Sequence, residues 1–130
     1  MTSAGQNVDD FNINHSSVYR QREKQRNERA KSVKQNFHPD PNLTLHWDGK
    51  IVPDITGNSK VERIAVIVTG ATTCQLLGVV KVPEGTGMAA AKAIYTLIEE
   101  WGVAALISAF SFDTTAINTG TRFLSIYLII

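Results

Sequence analysis

Two aspartates are the residues of this chain whose setting best suits chemistry. Asp113 follows an apolar run, Leu106-Ile107-Ser108-Ala109-Phe110, and opens onto Thr114-Thr115-Ala116-Ile117-Asn118-Thr119-Gly120. The run predicts a buried strand. Open α/β sheets bind their ligands outside the carboxyl ends of such strands, so a carboxylate delivered there is a candidate site residue. Its expected partner is Asp48, in His46-Trp47-Asp48-Gly49-Lys50. Asp-Gly is also a common hairpin pair, so Asp48 reads equally as a turn former. Other candidates are weaker. Gly85-Thr86-Gly87 precedes a helix and could hold a phosphate, but it lacks the Gly-Lys-Ser/Thr of a P-loop. Cys74 has no second cysteine near it and reads as a packing residue.

The elements that must position these residues follow from periodicity. Leu43 to Asp48 alternates, with Leu43, Leu45 and Trp47 on one face and Thr44, His46 and Asp48 on the other. Asp48-Gly49-Lys50 is then the expected turn, with Ile51–Lys60 as a connection. Val61–Val68 is rich in β-branched residues and predicts a central strand buried on both faces. Cys74–Val82 predicts an antiparallel neighbour, with Gly78 marking a bulge or a close approach. Met88–Trp101 predicts a helix that turns Ile94, Leu97, Ile98 and Trp101 to the sheet and stops at Gly102. The strand ending near Asp113 should return parallel within the same sheet by a right-handed crossover. Three hairpin-linked strands, a helix and a fourth strand make an α/β layout with a mixed sheet.

Before this unit, Met1–His15 is polar and expected to be disordered. Residues 16–37 predict a helix capped by Ser16 or Ser17. His38-Pro39-Asp40-Pro41-Asn42 marks a boundary, because proline cannot continue a helix. Of 13 Lys and Arg, Arg20, Arg22, Lys24, Arg26, Arg29, Lys31 and Lys34 lie in this helix, opposed only by Glu23 and Glu28. The stretch reads either as a nucleic-acid contact that neutralises phosphates or as a solvated polar helix. The net charge of +1 excludes a polycation overall, and the 43% hydrophobic share fits a globular chain. One cysteine excludes an internal disulfide and fits a reducing compartment. No stretch approaches the about 20 apolar residues of a membrane span, so no membrane partner is expected.

The order of elements, with one Asp in the first strand and another after the fourth, looks like the start of a ribonuclease H-like domain. His46-Trp47-Asp48-Gly49-Lys50, Pro53-Asp54-Ile55-Thr56-Gly57 and Ser111-Phe112-Asp113-Thr114-Thr115-Ala116 with Asn118-Thr119-Gly120 resemble a transposase-derived, DDE-type family of invertebrate genomes. The likeness covers roughly residues 43–120. It implies that Asp48 and Asp113 are catalytic carboxylates that ligate Mg²⁺ or Mn²⁺, hard ions suited to oxygen donors. In such chemistry two metals clamp the attacking and leaving oxygens of a phosphodiester. His46 shares the face of Asp48 and is a candidate to support it. The family draws a third carboxylate from a later helix, whereas this chain ends at Ile130. The expectation is therefore a partial ribonuclease H-like core, inactive without that carboxylate, followed by an apolar tail at 121–130 that the resemblance does not cover.

Two functions follow. The first is a transposase-like protein ancestrally acting on DNA, nuclear if it meets DNA. The second is a small nucleic-acid-binding or interaction module that uses the basic helix without catalysis. The open sheet edge and the tail Phe123 to Ile130 also predict self-association, since uncharged apolar segments of high β propensity aggregate.

Overall fold

A computed structural model describes residues 14–54, 57, 59–82 and 86–113. The tail at 121–130, the segment Thr114–Gly120 and most of the polar N-terminus lie outside these residues. The chain divides into two units, Met1–Phe37 and His38–Ile130.

The first unit contains helix α1, His15–Gln35. Its cap is Asn14 rather than Ser16 or Ser17. The Asn14 side chain accepts from the Ser17 N–H at 2.7 Å, and the Ser17 hydroxyl accepts from the Asn14 N–H at 3.2 Å. Placing Asn14 at the cap puts Ser17 three residues on, where the two satisfy each other's open donors. None of the residues of α1 is buried.

The second unit is α/β. Strands β1 (Leu43–Pro53), β2 (Lys60–Thr69) and β3 (Cys74–Val82) are followed by helix α2 (Gly87–Glu100), a short 3₁₀ turn at Ala104–Leu106 and strand β4 (Ile107–Phe112). The sheet order is β3-β2-β1-β4. β2 pairs antiparallel with β1 and β3, and β4 pairs parallel with β1. This open mixed sheet is consistent with a ribonuclease H-like arrangement. Among the described residues, no helix is long and apolar enough to cross a membrane.

The alternation of β1 places Leu43, Leu45 and Trp47 in the core, together with Ile64, Val66 and Val68 of β2. Helix α2 covers this face with Ala90, Ala91, Ile94 and Ile98, all buried. Leu97 and Trp101 lie at its margin, half-buried. β2 is central, as expected, but only one face is fully buried: Ala65, Ile67 and Thr69 on the other are partly exposed. Gly78 lies beside a register shift in β3, and a Cβ there would stand 3.3 Å from Leu97. Bulge and close approach coincide, although the approaching group is a side chain. The helix ends on Gly102 at φ 66°, with the Val103 N–H reaching the Ile98 carbonyl at 3.1 Å. This is a Schellman closure, anchored by the fully buried Val103.

The expected turn at Asp48-Gly49-Lys50 does not form. β1 continues in unbroken register through Gly49↔Ile64 to Pro53↔Lys60. A Cβ on Gly49 would fall 2.6 Å from Glu62 Oε1, the end of a flexible side chain that would have to move aside. The chain reverses after Asp54 instead, whose N–H donates to the Ser59 carbonyl at 2.9 Å. The β2–β3 turn is tied to the entry segment by Asp40. Its carboxylate accepts from the N–H groups of Thr72 (2.7 Å) and Thr73 (2.8 Å) and from the Thr72 hydroxyl (2.8 Å). These donors, led by the Thr72 N–H, hold the Asp40 carboxyl down from the ordinary 3.8 to about 2.

Candidate functional site

β4 is shifted along the chain from the apolar run and is less buried than that run implies. It begins at Ile107, and its residues are half-buried or exposed rather than buried throughout. A register shift between Leu43 and Thr44 lets Ser108 stand outside the pairing; from there Thr44↔Ala109, Leu45↔Phe110, His46↔Ser111 and Trp47↔Phe112 face one another. Paired residues share a face of the sheet. Phe110 and Phe112 therefore join Trp47 on the core side, while Ser111 joins His46 on the other.

Trp47 anchors this junction. Its ring stacks on Phe112 at 4.6 Å and 16°, and meets Phe110 edge-on at 6.0 Å and 73°. Such geometries add to simple burial, because ring quadrupoles attract when offset or perpendicular. The anchor sets the register of β4 on β1. Asp48 and Asp113 are the residues that immediately follow the Trp47↔Phe112 pair on the two strands. Adjacent strands run about 4.8 Å apart, so the topology brings the two aspartates side by side although 65 positions separate them.

Both aspartates are exposed, and both line an open cleft of about 250 Å³. His46, Ala65, Ile67 and Ser111 complete its sheet-face wall. His46 Nε2 is 2.7 Å from Thr69 Oγ1, which ties the ring to β2 beside Asp48. Ser111 enters the sequence reading only as part of the motif around Asp113; its place on the wall opposite His46 follows from the β4 register, which the irregularity at Ser108 obscures. Among the described residues, no group of three or more His, Cys, Asp and Glu side chains could hold a metal ion. The donor set at the cleft is two carboxylates with a hydroxyl nearby.

The other candidates separate from this cleft. Cys74 is exposed at the start of β3 rather than packed in the core, because it begins an edge strand on the face away from α2. Gly85 lies outside the described residues, while Thr86 serves as the α2 cap, accepting from the Ala89 N–H at 3.3 Å. On α1, Arg20, Arg22, Lys24, Arg26, Arg29, Lys31 and Lys34 are all exposed. Arg22, Arg26 and Arg29 line one shallow depression with Gln25. Lys24 is partly engaged by Glu28 at 3.9 Å.

Compared with known proteins, the chain matches no family model and no curated sequence.

Proposed function

We propose that the His38–Ile130 unit is a ribonuclease H-like module that presents Asp48 and Asp113 to the phosphodiester backbone of a nucleic acid through bound Mg²⁺ or Mn²⁺. The observation that supports this reading is the parallel pairing of β4 with β1, at whose end Asp48 and Asp113 line one cleft. Two carboxylates lining one cleft offer a divalent cation more attraction than either does alone, because both charges act on the same ion. The donor set fits the ion: Mg²⁺ keeps several waters and is commonly held by one or two carboxylates plus substrate phosphates. When bound, the metal would neutralise phosphate charge. The chain's own residues would position it: Trp47 and Phe112 fix the spacing, and Thr69 orients His46 along the wall. Two carboxylates suffice for metal-assisted binding, and hydrolysis is not proposed.

Calorimetric titration with Mn²⁺ tests it. The wild-type protein should give a weak saturable isotherm, and Asp48→Asn and Asp113→Asn should each abolish it. Equal heats from wild type and both variants would dismiss the site.

A second contribution to nucleic-acid binding comes from α1, favoured by its complete lack of buried residues and the alignment of Arg22, Arg26 and Arg29. Binding through these residues must weaken with salt, because its driving force is the release of counterions from the nucleic acid. Converting all three to Ala should lower the salt dependence; binding unaffected by both salt and substitution removes α1 from the interface.

A further inference from the structure

The sheet face opposite α2 carries a feature the candidate site does not use. Lys50 pairs with Arg63, and Arg63 pairs with Lys81. The three cations therefore form one row across β1, β2 and β3, about 10 Å long at the usual strand spacing. Like charges directly opposite one another destabilise a sheet, so the row does nothing for the fold by itself. Lys50 and Lys81 are exposed and Arg63 is half-buried. Of the three, only Lys81 has an acidic partner among the described residues, Asp54 at 2.9 Å. The row lies on the face of Asp48, with Lys50 two residues further along β1. That step is about 7 Å.

We propose that Lys50, Arg63 and Lys81 grip the phosphodiester backbone of a single nucleic-acid strand and lead it across the sheet to the cleft at Asp48 and Asp113. This rests on the reading of that cleft as a metal-assisted phosphodiester site, which gives the strand its destination. The row, countered only at Lys81 among the described residues, is placed for a polyanion, and the adjoining carboxylate pair suits one whose groups share a divalent cation with it. Phosphodiesters meet both demands. Mg²⁺ held by one or two protein carboxylates usually completes its shell with substrate phosphates and water, which favours a phosphodiester over an acidic peptide at the end of the row. Asp54 acts as a competitor that occupies Lys81 until phosphate displaces it.

The probe is fluorescein-labelled oligothymidylate, followed by anisotropy with the full chain in EDTA over a range of salt concentrations. For single strands each neutralised phosphate contributes about 0.7 to the slope of log affinity against log salt, so Lys50→Gln/Arg63→Gln should reduce it by about 1.4. Asp54→Asn should tighten binding severalfold, a gain that misfolding cannot imitate. Glu100→Gln, the same charge change at the end of α2, should leave it unaltered. An unchanged slope in the double variant, or equal effects of Asp54→Asn and Glu100→Gln, overturns the row. Poly-glutamate binding as tightly as the oligonucleotide overturns the assignment to nucleic acid. Mn²⁺ calorimetry on the double variant separates the two sites: a reduced slope with Mn²⁺ heats intact supports the row, and a reduced slope relative to a wild type that never bound Mn²⁺ keeps the row and discards the metal cleft.

Discussion

The Trp47–Phe112 stack is the contact on which the cleft depends, and its strength can be measured. Trp47→Leu and Phe112→Leu each keep an apolar side chain but remove a ring. Offset aromatic pairs contribute about 0.5–1.5 kcal/mol beyond the area they bury. The separation of 4.6 Å and tilt of 16° lie within the favourable range, so a coupling of about 1 kcal/mol is expected. Trp47 is 3% exposed, and its removal also leaves space beside Phe110, so the single Trp47→Leu change should cost about 3 kcal/mol. Phe112 is half-buried on β4, and Phe112→Leu should cost about 1.5 kcal/mol. The double variant should then fall short of the sum by the coupling term. Urea unfolding followed through Trp101 suits the comparison, since that residue is present in all four proteins and lies outside α1. The consequence should reach the cleft: Phe112→Leu should weaken Mn²⁺ binding, because the spacing of Asp48 and Asp113 is no longer pinned. Additivity within about 0.3 kcal/mol would refute the clamp. Unaltered Mn²⁺ affinity in Phe112→Leu would sever it from the cleft.

Three further outcomes follow from local physics. The Asp40 carboxyl is lowered to about 2 in the folded chain, so its contribution is present above about 4 and disappears as pH falls toward 2; Asp40→Asn should flatten the acid limb of the urea midpoint plotted against pH, and an identical limb refutes the staple. Gly102→Ala forces a side chain into a left-handed backbone at φ 66° and should destabilise by about 1 kcal/mol in thermal unfolding, although space around the glycine is open. Glu62 is 8% exposed and its Oε2 has no hydrogen-bond partner among the described residues; Glu62→Met should raise the unfolding free energy by about 1 kcal/mol, since an unsatisfied buried polar group costs about 1–3 kcal/mol, and a fall in stability would show that the carboxylate is compensated.

Several elements were legible in the residues alone. Cys74–Val82 has the bounds expected from its apolar content, and Gly102 stops α2 because glycine adopts a positive φ without strain. The strict alternation of Leu43, Leu45 and Trp47 is enough to set Asp48 on the opposite face. Local patterns misled where other contacts outweighed them. Asp48-Gly49 has the composition of a turn, but Gly49 stays extended because β1 pairs with β2 without a break from Asp48↔Ala65 to Pro53↔Lys60. Asn14 won the α1 cap because Ser17 could reciprocate three residues later.

By itself, then, the order of residues determined the strand and helix types, the face on which Asp48 lies and the crossover that returns the chain to the sheet. These are short-range consequences of side-chain period and backbone preference. Which strand receives β4 was decided only by tertiary structure. Trp47 buries its ring against Phe110 and Phe112, β4 therefore pairs with β1 rather than β3, and Asp113 arrives beside Asp48. The cationic row has the same origin: Lys50, Arg63 and Lys81 are unrelated along the chain and become neighbours only once hydrogen-bond register aligns the three strands.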